Sequence, residues 1–137
     1  MASPLERSKA LLKSDGWLCW KTEHYNPWSM RKTDVFNMLD LIAIRPDRPG
    51  VLGLQVCGED IAIHIHKLLS GYCVSSGKYK GTLIPPNPYL PIWLKAGNPF
   101  FIWGWRLREH KGTKDTYQLR EVEFILQDGI VVNREVA

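Results

Sequence analysis

The chain has 137 residues, enough for one domain with a real hydrophobic core and no need of disulfide staples. Its residues are 45% hydrophobic and 23% charged, as in an ordinary globular protein, and no apolar run approaches the roughly 18 residues of a membrane span. A net charge of +4 is a mild basic bias, compatible with a polyanionic partner without requiring one.

In chain order, Ser3-Pro4 opens a helix: serine is a favoured N-cap, proline fits the first helical position, and Gly16 is a natural stop. Residues 17–25, WLCWKTEHY, are aromatic and weakly alternating, which predicts a strand. Residues 26–34, NPWSMRKTD, read as a loop carrying Arg31 and Lys32. Residues 35–44, VFNMLDLIAI, end in a strand. RPDRPG (45–50) is a turn, and VLGLQVC (51–57) returns as its hairpin partner. Residues 59–69, EDIAIHIHKLL, fit strand alternation at Ile61, Ile63 and Ile65. They also fit a helical face at Ile61, Ile65, Leu68 and Leu69, and Glu59-Asp60 favours the helix. Residues 71–87 are loop-rich. A short helix follows over 88–96, capped by Asn87 and ended by Gly97. Two strands, 100–108 and 116–126, are joined by a charged hairpin, and Asp128-Gly129 marks a last tight turn. The expected fold is α/β, bordering on α+β: one domain over 1–137 with a mixed central sheet flanked by helices.

Three cysteines without CxxC spacing argue against a disulfide framework or a zinc knuckle. Reduced thiols and the absence of a signal-peptide apolar core in MASPLERSK lead to a cytoplasmic expectation.

The residues that invite chemistry are Asp40 and Gln55, each alone among apolar neighbours in adjacent predicted strands. If those strands pair, a carboxylate and an amide oxygen converge at one end of the sheet. That donor set suits a hard cation such as Mg²⁺ or Mn²⁺. The Val56 carbonyl is a further candidate oxygen, and Glu23 is a candidate ligand or water-orienting group. The plainer alternative is an aspartate bonded to a turn and a glutamine satisfied on backbone. Basic groups that could track a phosphate backbone are Arg31-Lys32, Arg45 and Arg48, Lys78 and Lys80, and Arg106, Arg108, Lys111 and Lys114. Trp28 is the candidate for base stacking; Trp103 and Trp105 alternate on one face and read as core or interface.

Asp40, a proline-glycine turn and a polar residue in the next strand resemble the PD-(D/E)XK nuclease superfamily. Within it the chain resembles small phage and bacterial resolvase-like, or VRR-type, nucleases. The matching stretches are GWLCWKTEHYNPW, RKTDVFNMLDLIAI, GVLGLQVCGED, HKLL, WLKAGNPFFIWGWR and YQLREVEF, which span roughly residues 16–126. The resemblance implies a restriction-endonuclease-like core and a Mg²⁺- or Mn²⁺-dependent endonuclease acting on DNA, on branched or flapped structures in particular. It implies Asp40 as the metal-binding aspartate and Gln55 as a variant of the usual Asp or Glu. Asp34 becomes a supporting carboxylate, and His64 stands where arginine is frequent, suggesting phosphate contact. The usual lysine is replaced by Cys57, which cannot take over its role. Lys67, on the predicted helix, matches a lysine that similar proteins carry there and is the candidate substitute. Resolvase-like proteins also imply a homodimer, since two cuts on a symmetric junction need two sites. The rival reading is a nuclease-fold module that binds DNA or protein without cutting. A third is a small structural or inhibitory protein that docks through its aromatic strand.

Overall fold

The computed structural model of the chain describes residues 2–28 and 31–136. Ten strands and three helices are seen among them. Helix α1 (Pro4–Ser14) starts as its sequence demands: Ser3 caps it by accepting from the Glu6 N–H at 3.2 Å, and Gly16 ends it at φ +85°. The six-stranded sheet runs in the order β1 (Leu18–Lys21), β4 (Leu41–Arg45), β5 (Arg48–Cys57), β8 (Phe100–Arg108), β9 (Thr116–Gln127), β10 (Ile130–Val136). Only β5 and β8 are parallel; the other neighbours are antiparallel. The fold is thus mixed α/β. Between β5 and β8 lie α2 (Ile61–Ser70), the short pair β6 (Tyr72–Cys73) and β7 (Leu83–Ile84), and α3 (Tyr89–Lys95).

The sheet separates two cores. On one face Leu12 of α1 packs with Leu41, Ala43, Leu52, Leu54 and Trp103. On the other, Ile61 and Leu68 of α2 and Leu90 of α3 pack with Phe100, Ile102, Val122 and Phe124. Strand alternation produces this division, because residues two apart on a strand share a face. On β5 it sends Leu52 and Leu54 toward α1 and Cys57 toward α2. Gly53 is required on the α2 side: a Cβ there would lie 2.5 Å from Leu39 and 3.0 Å from Trp93.

Several local expectations are revised. The predicted strand over 17–25 is broken. β1 stops at Lys21, and β2 (His24–Asn26) turns away to pair with β3 (Arg31–Thr33), so the expected loop 26–34 is largely a small hairpin. The stretch 35–40 is not strand. Phe36 and Asn37 both have φ near +56°, and an isolated bridge joins Val35 to Leu39. Burial holds this turn in place: Met38 and Leu39 are fully enclosed, and Asn87 Nδ2 donates to the Phe36 carbonyl at 3.0 Å. The expected turn 45–50 is tighter, since β5 already begins at Arg48. Of the expected helix 59–69, Ile61 onward is helical and runs to Ser70, while Glu59 and Asp60 stand before its first turn. The Asp128-Gly129 turn leads into a further strand, β10.

Candidate metal centre at the end of the central strand

Strand β5 outruns β4, whose first residue, Leu41, pairs with Leu54. Asp40 stands at this step. Its backbone N–H donates to the Leu54 carbonyl at 2.8 Å, and its Oδ2 accepts from the Val56 N–H at 2.7 Å. The Asp40 carbonyl in turn accepts from the Thr22 N–H at 2.9 Å, and Thr22 Oγ1 donates to the Leu39 carbonyl at 2.6 Å. These bonds fix the chain just after β1, and so fix Glu23, beside Asp40.

Glu23, Asp34 and Asp40 each offer a carboxylate oxygen, and the three oxygens lie within 4.8 Å of one another. Three different segments supply them: the stretch after β1, the start of the 34–40 turn, and the last residue before β4. Asp40 is buried, while Glu23 and Asp34 are half-buried. Burial is the main reason the Asp40 carboxyl is pushed up to about 8; Asp34 and Glu23 add to the rise and the Val56 N–H opposes it. Like charges this close cannot all be ionised in a poorly solvated site unless a cation joins them.

Gln55 lines the same cleft as Glu23, Asp34, Asp40, Val56, Cys57 and His64, a space of about 600 Å³. Its Oε1 is buried and accepts no hydrogen bond. An amide oxygen shut away without a donor is costly. The carboxylate oxygens and the uncommitted amide oxygen fit a hard divalent cation, while two softer donors, Cys57 and His64, line the same cleft.

The sequence-predicted residues divide. Asp40, Gln55, Glu23 and Asp34 come together, and Asp34 stands with the cluster itself. Val56 enters through its N–H and lines the cleft. Lys67, on α2, lines an adjoining cleft that shares Asp34, Gln55 and His64 with the first; its Nζ lies 4.8 Å from the centre of the Tyr72 ring. His64 Nε2 sits 3.3 Å from Asp60 Oδ2, one helical turn earlier. Arg106 and Arg108 are exposed on β8 and line a separate hollow with Gly58, Glu59 and Arg120. Trp28 is 95% exposed, as a stacking residue would be. Arg31 and Lys32 form β3 with their backbones, and their side chains lie outside the described part of the structure. Trp103 is buried and Trp105 half-buried, both against the α1 core.

Two residues carry more than sequence reasoning assigned them. Lys21 lines the cleft of the acidic cluster. Its signal would have been the β1–β4 register, which sets Lys21 across from Leu41 and so beside Asp40, but no linear motif encodes that pairing. Cys57 is buried, and burial, helped by Asp60 and Asp40, pushes its thiol up to about 12. It stays protonated at neutral pH and cannot act as the missing cationic group. Compared with protein-family models, with curated proteins and with solved structures, the chain finds no match in any of the three.

Proposed function

We propose that the chain is a metal-dependent endonuclease of the PD-(D/E)XK type, hydrolysing DNA phosphodiester bonds on branched or flapped substrates, with the six-stranded sheet as its restriction-endonuclease-like core. One observation carries the reading: three carboxylates and an orphaned amide oxygen converge in one cleft at the end of β5. Asp40 and Gln55 would hold Mg²⁺ or Mn²⁺, with Glu23 completing the set or orienting water, Asp34 supporting Asp40, and the Val56 carbonyl within the same segment. A bound divalent ion supplies charge neutralisation at the phosphate and an activated water.

The remaining work falls to the chain's own groups. The Val56 N–H holds the Asp40 carboxylate in one orientation. Lys21 and Lys67, in adjoining clefts, bring positive charge toward a scissile phosphate from two elements. Trp28 offers a face for a splayed base, and His64, Arg106, Arg108, Arg31 and Lys32 would contact backbone phosphates. The site does not need the lysine that Cys57 replaces if one of these two amines stands in for it.

The rival reading, a module that binds DNA or protein without cutting, is favoured by one feature, the neutral buried Cys57. A cleavage assay on single-stranded, duplex, flap and four-way-junction DNA separates the two. Run with Mg²⁺, Mn²⁺ or EDTA, it should show metal-dependent cutting that Asp40→Ala abolishes and that Lys21→Ala or Lys67→Ala weakens. DNA left intact in every condition, with binding indifferent to EDTA and to Asp40→Ala, would establish the non-cutting module instead.

A further inference from the structure

A second cluster of ligating groups lies just beyond the first and uses none of its acids. Cys57 Sγ, an Asp60 carboxylate oxygen and a His64 ring nitrogen lie within 4.8 Å of one another. All three come from one short piece of chain: the last residue of β5, the residue before α2, and the first turn of α2. Gly104 permits this corner to sit close on β8, since a Cβ there would lie 3.0 Å from the Gly58 carbonyl and 3.3 Å from Ile61. Ile61, buried in the α2 core, anchors the start of the helix.

Asp60 behaves oddly for its position. An aspartate before a helix ordinarily turns its side chain onto the first free N–H groups. Here it makes no such cap; its carboxylate is turned to His64 Nε2 at 3.3 Å. His64 also lines the cleft that Cys57 lines. One sulfur, one imidazole nitrogen and one carboxylate oxygen form a softer donor set than the acidic cluster. Such a set favours Zn²⁺ over Mg²⁺, and three protein ligands leave a fourth position open.

We infer that Cys57, Asp60 and His64 form a second metal site, for a zinc-class divalent cation, clamping the end of β5 to the first turn of α2. Binding exchanges the thiol proton for a metal–sulfur bond and releases that proton to solvent. The site uses none of the acids of the proposed nuclease centre and would exist equally in a non-cutting module; His64 would then hold the metal rather than a backbone phosphate.

Co²⁺ titrated into the full, metal-free chain tests it, because cobalt reports its ligands by colour. The expected result is a sulfur-to-cobalt charge-transfer band with tetrahedral d–d bands at one equivalent, bleached by Zn²⁺ and not by Mg²⁺. Cys57→Ser should remove the charge-transfer band, and His64→Gln should weaken Co²⁺ binding by about tenfold or more, in line with loss of a ligand. Asp40→Asn, which alters the acidic cluster, should leave the band in place. Absence of the band in the unaltered chain would overturn the site. Persistence of the band in Cys57→Ser would do so too, because the sulfur would then belong to Cys19 or Cys73. Near-ultraviolet circular dichroism of Cys57→Ser in the metal-free state distinguishes a lost ligand from a lost fold; an unfolded variant is replaced by Cys57→Ala under the same criterion.

Discussion

The α1 side of the sheet and the open end of β5 both bury polar atoms, and they treat them in opposite ways. Under α1, Trp105 Nε1 donates to Ser8 Oγ at 2.8 Å, and Ser8 Oγ in turn donates to the Pro4 carbonyl at 2.9 Å. Trp103 Nε1 donates to Glu121 at 3.0 Å. Arg7 Nε has no hydrogen-bond partner, but its guanidinium lies 3.5 Å from the centre of the Tyr117 ring, where a planar cation is well placed. At the end of β5, Gln55 Oε1 has no donor, and it lies in a cleft lined by four acids, Glu6, Glu23, Asp34 and Asp40. The first region pairs its tryptophan N–H groups and the Ser8 hydroxyl by hydrogen bonds and sets the Arg7 guanidinium against an aromatic face. The second leaves a buried amide oxygen without a donor beside a carboxyl raised by burial, and both features cost stability.

The largest expected effect tests that contrast through activity. Asp40→Ala should lower metal-dependent cleavage about a thousandfold or more, the scale of several kcal/mol of lost charge stabilisation. Trp105→Phe should leave the cleavage rate within about twofold, since it disturbs only the satisfied region. Equal losses in both variants, measured as initial rates on the same DNA, would erase the distinction between the regions.

The next effect is on stability against pH. Between the ordinary carboxylate value of 3.8 and about 8, the folded chain keeps the Asp40 proton that the unfolded chain has released. Proton binding is therefore greater in the folded state, and stability in EDTA falls as pH rises through that window. The slope should reach at most about 1.4 kcal/mol per pH unit and vanish above the window. Asp40→Asn, which can still accept from Val56, should flatten it. Mg²⁺ should offset the loss at the alkaline end, because it binds the ionised form. Urea unfolding at a series of pH values reads all three; a wild-type curve already flat in EDTA would remove the argument for a strained carboxylate.

Two smaller effects should have opposite signs. Trp105→Phe deletes the donor to Ser8 and should destabilise the chain by about 1 kcal/mol. Gln55→Leu removes an acceptor without a donor and, without metal, should be neutral or stabilising by up to about 1 kcal/mol. The same substitution should weaken Mn²⁺ binding by about tenfold, readable by calorimetry. Destabilisation by Gln55→Leu in EDTA would mean that its amide is already satisfied within the protein.

Much of the framework was legible in the chain. Ser3-Pro4 and Gly16 bounded α1, Asn87 bounded α3, and the alternating runs at 51–57, 100–108 and 116–126 all became central strands. These elements are set by local rules of capping and periodicity, which act over a few residues. Asp40 and Gln55 stood out for the same reason, as polar residues in apolar runs. The 34–40 turn was not legible: Asn37 tolerates positive φ, but nothing local makes Phe36 adopt it beside the enclosed Met38 and Leu39. Nor was the β2–β3 hairpin, whose residues carry weak alternation.

By itself, then, the sequence determined a mixed α/β chain of local elements and the two polar residues at the heart of a candidate site. The sequence also named Glu23 and Asp34 as candidates, and tertiary structure decided that they meet Asp40 and that Lys21 joins the cleft. Asp34 and Glu23 reach Asp40 because buried packing turns the chain at 34–40 and hydrogen bonds pin Thr22. Lys21 reaches the cleft because β1 pairs with β4, and Cys57 meets His64 because the corner between β5 and α2 sits close on Gly104. Short-range propensity can specify a helix or a strand, but convergence of side chains from distant segments depends on long-range register and packing.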